Sequence, residues 1–274
     1  DEPPMKRTPL RTAASSASPW GWALSGALLG ALLASAIWAP SRWLSESLRQ
    51  GTRQQVQLDS PRGTVWQGSA QLTLSAGAGS RGAQTLPGRL HWRIQPGLTT
   101  WKLELLADCC MDQAAQATVR LGWATQQIQL EDHQSRWPAA LLSGLGAPWN
   151  TLQAEGQLQL RTENLQLQWA DGRLQMQGLA ELDAQRMSSR LSTLKPMGSY
   201  RVQVRGTPQG SATPQVLLST LHGPLQLQGQ GQWVGQRLHF SGEASADAGT
   251  ETALSNLLNI IGRRQGTRSL LTLG

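Results

Sequence analysis

The stretch GQLQLRTENLQLQWADGRLQMQG, residues 156–178, decides the fold class. Leucine, tryptophan or methionine occupies every second position over most of it, and glutamine is the usual residue between them. Successive side chains of an extended strand point to opposite faces, so this alternation predicts strands with one buried side and one solvent-facing side. The tripeptide ADG (170–172) separates two such runs and predicts a tight hairpin.

The same period of two recurs along most of the chain. Alternating runs occupy residues 55–59, 70–75, 89–95, 101–107, 117–123, 126–131, 156–162, 164–171, 172–178, 200–206, 224–233 and 236–244. Helical runs between them are too few for repeated β–α–β units, so the pattern favours an antiparallel sheet. The predicted fold class is mostly β: a curved antiparallel sheet, as an open roll or groove, with a few short packing helices.

A continuous apolar face over a dozen strands needs cover, either from curling of the sheet or from packed helices. Three segments have apolar residues at helical spacing and are predicted to supply that cover: 137–146, 183–194 and 251–264. Pro196 follows the second segment and would stop it. Arg263 and Arg264 lie at the end of the third, where the helix dipole favours cations.

The N-terminal region contains the apolar run WGWALSGALLGALLASAIW (20–38), which has no charged residue. As a helix it would be about 28 Å long, close to the hydrocarbon thickness of a bilayer. Trp20, Trp22, Trp38 and Trp43 bracket this run, and tryptophan concentrates at membrane interfaces. The run therefore predicts a single transmembrane helix.

More basic residues precede this run than follow it closely, so the positive-inside rule places residues 1–19 in the cytoplasm. A cleaved signal peptide, with ASA (34–36) as its cleavage site, is the alternative. The apolar run is longer than the 7–15 residues usual for such a peptide, which favours an uncleaved anchor.

The expected organisation has four parts. They are a cytoplasmic tail (1–19), a transmembrane helix (20–38), a juxtamembrane helix (39–50) and a periplasmic β-rich domain (51–274), which could comprise two similar halves, 51–146 and 147–274.

Composition argues against nucleic-acid binding. The formal net charge is +7, but only 15% of the residues are charged, and no dense basic block or recognisable nucleic-acid module occurs.

Motifs for catalysis and cofactor binding are missing from the sequence. The four histidines, His91, His133, His222 and His239, are scattered and lack zinc-protease spacing. The stretch GAGSRG (77–82) has the spacing of a dinucleotide-binding loop, but a strand rather than a helix follows it, so we interpret it as a hairpin loop. We predict no enzymatic activity, no cofactor and no metal site; a hydrolase is the least favoured of three function classes.

The adjacent residues Cys109 and Cys110 cannot complete a tetrahedral metal site alone. We expect two small, unbridged residues near the end of a strand. A vicinal disulfide and an intermolecular bridge are the alternatives in an oxidising compartment.

Three stretches together resemble the protein N family of the bacterial type II secretion system. They are residues 63–75 with 86–96, residues 137–160, and residues 253–274. The resemblance implies a single-pass inner-membrane protein of a Gram-negative bacterium with a β-rich periplasmic domain. It also implies a part in the apparatus that exports folded proteins from the periplasm, and it supplies no catalytic residues.

The sequence therefore leaves two alternative hypotheses for the function. The first is a non-enzymatic component that assembles or stabilises the secretion machinery, with inner-membrane platform proteins and periplasmic channel proteins as partners and lipid contact through the anchor. The second is an anchored groove that binds lipid or another hydrophobic ligand, which an uncovered apolar sheet face would favour.

Five residues are candidate partner contacts. They are Trp66, Trp149, Asn150, Arg263 and Arg264. For the tryptophans a structural role is the competing interpretation: Trp66 in the core, and Trp149 buried against the sheet. For the arginines the competing interpretation is a helix C-terminus.

Overall fold

The computed structural model describes residues 20–77, 79–80, 82–122, 125–170, 173–206, 213–234 and 237–273. The chain divides into two compact units, one ending at Ala39 and the other running from Pro40 to Gly274. The described part of the first unit contains helix α1 (Trp20–Ile37), which has a mean hydropathy of 1.5. By length and composition α1 can cross a membrane, as the sequence predicts.

The second unit is built mainly from strands. Its helices are α2 (Ser41–Gly51), a 3₁₀ helix (Ala139–Leu145), α3 (Trp149–Leu152) and α4 (Glu251–Ile261). Its strands are β1 (Val56–Gly63), β2 (Gln67–Ser75), β3 (Ala83–Thr85), β4 (Leu90–Gln95), β5 (Thr100–Ala107), β6 (Ala115–Leu121), β7 (Thr125–Leu130), β8 (His133–Pro138), β9 (Glu155–Ala170), β10 (Arg173–Ser188), β11 (Gly198–Arg205), β12 (Gln215–His222), β13 (Leu225–Val234), β14 (Arg237–Ala246), β15 (Arg263–Gln265) and β16 (Arg268–Leu273).

All the strands form one antiparallel sheet in the order β1-β2-β4-β5-β6-β7-β9-β10-β11-β12-β13-β14-β16-β15. Strand β3 also pairs with β2, and β8 also pairs with β9. Consecutive strands are neighbours almost throughout, as in a meander. The sheet does not close, because β1 and β15 stand at opposite ends of this order. The predicted fold class, a mostly β chain with an open antiparallel sheet and few helices, is confirmed.

Strands β9 and β10 are the longest, at 16 residues each, and both are irregular near their middle. Asn164 in β9 has a φ of 47° and Gly178 in β10 a φ of 86°. The backbone N–H of Asn164 donates to Asp132 Oδ1 at 2.7 Å, at the corner between β7 and β8. One half of β9 therefore pairs with β7 and the other half with β8.

The two faces of the sheet differ in polarity. Paired residues of an antiparallel ladder share a face, so the registers trace each face across the strands. One row runs Trp101, Val119, Ile128, Leu167, Met176, and the row beside it on the other face runs Lys102, Thr118, Gln129, Gln166, Gln177. The glutamines of the sequence pattern thus form a polar face, and the leucines, valines and tryptophans an apolar one.

Helices cover one part of the apolar face. Leu254, Leu257 and Leu258 of α4 are buried against Leu158 of β9 and Ala244 of β14 in the largest hydrophobic cluster. A second cluster joins Leu141 of the 3₁₀ helix to Leu86, Ala107 and Cys110. In a third cluster α2 places Leu44 and Leu48 over Leu58, Ala70 and Trp92. Helix α4 and the 3₁₀ helix lie at the end of the sheet where β5 ends and β13 begins, and we call that end the covered end. The end where β5 begins and β13 ends is called the open end.

The predicted helix 183–194 is wrong. Residues 183–188 continue β10, where Asp183 pairs with Arg201 of β11, and the rest forms turns that lead to β11. The apolar spacing of this segment resembles a helix, but strand pairing along β9 and β11 determines its conformation. The other two predicted helices exist as the 3₁₀ helix and α4, although α4 ends at Ile261 and the two arginines begin β15. The turn at 171–172 lies outside the described residues, but Ala170 and Arg173 pair across it.

Cys109 and Cys110 form a disulfide with each other, so the expectation of two unbridged residues is wrong. They lie in the turn after β5, where the backbone N–H of Cys110 donates to the carbonyl of Ala107. Cys110 is buried in the second cluster, whereas Cys109 is exposed. The turn brings the two thiols together, and a pattern of alternating residues carries no information on this.

Candidate functional site: an uncovered apolar strip

The apolar face remains uncovered towards the open end of the sheet. The row from Trp101 to Met176 crosses the strands from β5 to β10. Within β10 the apolar face continues past the irregularity at Gly178 to Ala180, which pairs with Val204 of β11. The row continues through Val216 of β12, past Gly231, to Phe240 of β14. We call this set the apolar strip; it comprises Trp101, Val119, Ile128, Leu167, Met176, Val204, Val216 and Phe240. In the described part of the chain none of these side chains belongs to the three helix-covered clusters.

Most of the strip is partly accessible to solvent. Met176 and Val216 are buried, and the other six side chains are half-buried. Further apolar residues at the open end are more exposed: Leu121 at 46%, Trp169 at 39% and Leu174 at 38%. Soluble monomers rarely keep a contiguous apolar surface of this kind without a partner or ligand.

The charged residues at the open end of the sheet are of one sign, and by strand register Lys102, Arg120 and Arg237 lie on the polar face, opposite the apolar strip. Among the last three residues of each strand at the open end, all the charged ones whose side chains the structure describes are basic. They are Arg62, Arg93, Lys102, Arg120, Arg205 and Arg237. We call them the basic rim. Asp171, which lies between β9 and β10 in the sequence, is outside the described residues. At the covered end acidic and basic residues are mixed, as in the contact of Arg136 with Asp112 at 3.4 Å.

Ion pairing leaves much of the rim free. Arg93 lies 3.6 Å from Glu104, and Arg205 donates to the side chain of Gln203. Lys102, Arg120 and Arg237 are exposed, and within the described residues no acidic group pairs with them. Their positive charge is available to an anionic ligand.

A group of ion pairs on the polar face links two neighbouring strands of the sheet. Arg201 donates to both carboxylate oxygens of Asp183, at 2.7 and 2.6 Å, and lies 3.4 Å from Glu181. The hydrogen bonds that Arg201 donates to the Asp183 carboxylate raise the pKa of Arg201. Because these contacts link β10 to β11 and leave no group unpaired, we interpret them as cross-strand stabilisation rather than as a site.

Two buried polar atoms have no hydrogen-bond partner among the described residues: His133 Nε2 and the Tyr200 hydroxyl. Burial lowers the pKa of His133 and raises the pKa of Tyr200 above its ordinary value. They lie on β8 and β11, and the described residues contain no group of three His, Cys, Asp or Glu side chains that could hold a metal ion.

The candidate contact residues from the sequence are dispersed over the sheet. Trp66 lies at the open end, half-buried, with its ring centroid 6.0 Å from that of Trp101 at the start of the apolar strip. Trp149 and Asn150 belong to α3 at the covered end. Trp149 is 40% exposed, so its predicted burial against the sheet is wrong, while Asn150 Oδ1 accepts from the Thr151 hydroxyl at 3.3 Å.

Arg263 and Arg264 are exposed on β15, the last strand of the sheet, rather than at a helix end. Of the predicted interface tryptophans, Trp20 and Trp22 lie in α1, Trp38 follows it, and Trp43 lies in α2; all four are exposed. The basic rim was not predicted. Its only signal in the sequence is a basic residue near the end of several alternating runs, as with Arg120 and Arg205.

Comparison of the sequence with models of known protein families identifies the family to which the chain belongs. The family model described as type II secretion system (T2SS), protein N, matches residues 54–270, which runs from the start of β1 into β16. The chain belongs to this family. No curated protein and no solved structure matches the chain.

Membership in the T2SS protein N family makes the chain a component of type II secretion, as the resemblance in the sequence implied. The match covers the open sheet and α4 but not α1 or α2. The apolar strip and the basic rim therefore lie within the part of the chain that defines the family.

Proposed function

We propose that this T2SS protein N chain is a non-enzymatic, inner-membrane-anchored component that assembles or stabilises the secretion machinery. The family match over residues 54–270 is the observation that carries the proposal. Helix α1 supports membrane anchoring, because 18 apolar residues suffice to cross the hydrocarbon core.

The proposed orientation has the N-terminus in the cytoplasm and the sheet in the periplasm of a Gram-negative bacterium. Lys6, Arg7 and Arg11 precede the apolar run, in agreement with the positive-inside rule. The disulfide between Cys109 and Cys110 also supports a location outside the cytoplasm, because disulfides persist mainly in oxidising compartments.

The partners in this proposal are the inner-membrane platform proteins and the periplasmic channel proteins of the system. Exposed residues on separate elements offer contacts: Trp149 and Asn150 on α3, and Arg263 and Arg264 on β15. An exposed tryptophan and exposed arginines are the side chains most enriched at binding hot spots.

A crosslinking pull-down of the full-length protein from native membranes, read by mass spectrometry, tests this role. We expect platform or channel proteins among the crosslinked partners, and a secretion defect in a deletion strain that the wild-type chain restores. Restoration by Trp149→Ala and by Arg263→Glu/Arg264→Glu is then compared with restoration by Arg190→Glu, which changes an exposed arginine in the turn after β10. Intact secretion in the deletion strain, with no secretion protein crosslinked, would overturn the proposal.

A further inference from the structure

The hairpins at the open end of the sheet carry exposed apolar side chains near their tips. Leu98, between β4 and β5, is 104% exposed, and Val234, the last residue of β13, is 57% exposed. Leu121, Trp169 and Leu174 are also exposed, close to the tips of the β6–β7 and β9–β10 hairpins. A single exposed leucine needs no explanation, but a group of apolar residues at one end of the sheet indicates a contact surface.

The basic rim surrounds these tips. Each of its residues is among the last three of a strand, and three strand residues span about 10 Å. The Debye length at physiological ionic strength is about 8 Å, so these charges act on a surface that meets the strand ends. Lys102, Arg120 and Arg237 lie on the polar face, but a flat surface across the strand ends is close to residues of both faces.

The connection to α1 indicates which surface this is. Helix α1 ends at Ile37, and the second unit begins at Pro40, which forms a β-bridge with Thr64. Thr64 lies at the open end, in the turn from β1 to β2, where its N–H donates to the carbonyl of Gln67. Three residues of extended chain span at most about 11 Å. With α1 across the membrane as proposed above, the turn at Thr64 is therefore tied close to the point where the chain leaves the bilayer.

We propose that the open end of the sheet docks on the anionic surface of the bilayer that α1 spans. Leu98 and Val234 enter the headgroup layer, and the basic rim lies at the level of the lipid phosphates. Burial of apolar side chains and attraction to anionic lipid both strengthen this kind of binding. The inference rests on the membrane anchoring in the proposed function but not on the secretion partners.

Quenching of a fluorescent amino acid by nitroxide-labelled phospholipid tests the docking. The full-length protein is reconstituted into vesicles of phosphatidylcholine and phosphatidylglycerol, and the fluorescent amino acid replaces Leu98 or Val234. In the controls it replaces Leu145 or Ile260, which are exposed apolar residues at the covered end. We expect strong quenching at positions 98 and 234 only. Equal quenching at all four positions, or none at 98 and 234, would overturn the proposal.

The contribution of the basic rim has its own variant. Lys102→Glu/Arg120→Glu reverses two rim charges, and each basic residue near an anionic lipid surface strengthens binding about fivefold. We expect the ratio of quenched to unquenched fluorophore at position 98 to fall at least about 25-fold. Arg186→Glu/Arg190→Glu makes the same change in net charge at the covered end and should leave this ratio unchanged. An equal fall in both double variants would show that the rim does not contact the lipid.

The contribution of the apolar tips is tested with the fluorophore at position 234. Leu98→Ser removes an apolar side chain that is fully exposed, so the core of the sheet is unaffected. We expect the quenched-to-unquenched ratio to fall about tenfold, because the leucine is no longer transferred from water to the lipid. Leu145→Ser at the covered end should not change the ratio. Unchanged quenching in Leu98→Ser would show that this tip stays in water.

Flotation of the vesicles in a density gradient separates docking from anchoring, and equal protease resistance of the variants excludes misfolding. If the protein floats with the vesicles and neither tip is quenched, docking is wrong and the anchoring by α1 stands. If the protein does not float, the anchoring is wrong and the docking that depends on it fails as well.

Discussion

At the scale of single residues, Tyr200 contributes to the core through its ring and not through its hydroxyl. The side chain is buried in the largest cluster, and its hydroxyl has no partner among the described residues. We expect Tyr200→Phe to change the free energy of unfolding by less than about 1 kcal/mol, or to increase it, because it removes an unsatisfied polar group. Tyr200→Ala leaves a cavity and should cost about 3–5 kcal/mol. Denaturant unfolding followed by tryptophan fluorescence measures both; a large loss in the phenylalanine variant would show that the hydroxyl is satisfied.

His133 makes stability depend on pH in a defined direction. Burial lowers its pKa in the folded state, so below its ordinary pKa the unfolded chain binds a proton that the folded chain does not. Stability is therefore lost as the pH falls through that ordinary value, near 6.5. We expect Tm to drop less between pH 7.5 and 5.5 in His133→Gln than in the wild type. His239→Gln, at an exposed position, is the control and should retain the full drop.

At the scale of elements, strand β10 requires glycine at position 178 for two reasons: the backbone has a positive φ there, and there is no space for a Cβ atom. Gly178 has a φ of 86°, and a Cβ there would lie 2.3 Å from the carbonyl oxygen of Asn164 and 2.5 Å from that of Glu163. Gly249 has nearly the same φ, 85°, with open space around it. We expect Gly249→Ala to cost about 1 kcal/mol from backbone strain alone, and Gly178→Ala roughly 2–4 kcal/mol. Equal losses in chemical denaturation would show that the clash relaxes.

The elements also show how far the sequence predicts the fold. Regular alternation identified most strands, but β12 was missed because Val216, Leu217 and Leu218 are consecutive and apolar. The registers explain this run, since Leu217 pairs with Gln203 and Gln230 on the polar face. The second half of β10 was mistaken for a helix, because its apolar spacing fits the helical period as well as the strand period. Only the pairing with β9 and β11 distinguishes the two conformations.

The candidate site was predictable only in part for a related reason. The alternating runs predict an apolar face, but which half of it α4 and the 3₁₀ helix cover depends on tertiary packing. Likewise, Lys102, Arg120 and Arg237 are far apart in sequence and share one end of the sheet only once the strand order is known. Charge patterns within a single run carry no information on that arrangement.

At the scale of the whole molecule, an open sheet has two edges that could pair with other chains. Edge strands are protected from such pairing by prolines, irregular backbone and charged side chains. In β1, Pro61 lacks an N–H group and Ser60 has a φ of 48°, which interrupts the ladder. At the other edge β15 is three residues long and carries the exposed Arg263 and Arg264.

Removing the charges from β15 should therefore convert the second edge into a pairing surface. We expect Arg263→Thr/Arg264→Thr to associate in a concentration-dependent manner, because threonine favours strands and the repulsion between approaching edges is lost. Sedimentation velocity of the full-length protein in detergent measures the association. Arg120→Thr/Arg205→Thr, which removes the same charge from exposed positions on the inner strands β6 and β11, should sediment as the wild type. If both double variants associate equally, net charge rather than edge protection keeps the chains apart. If neither does, the short length of β15 suffices to protect the edge.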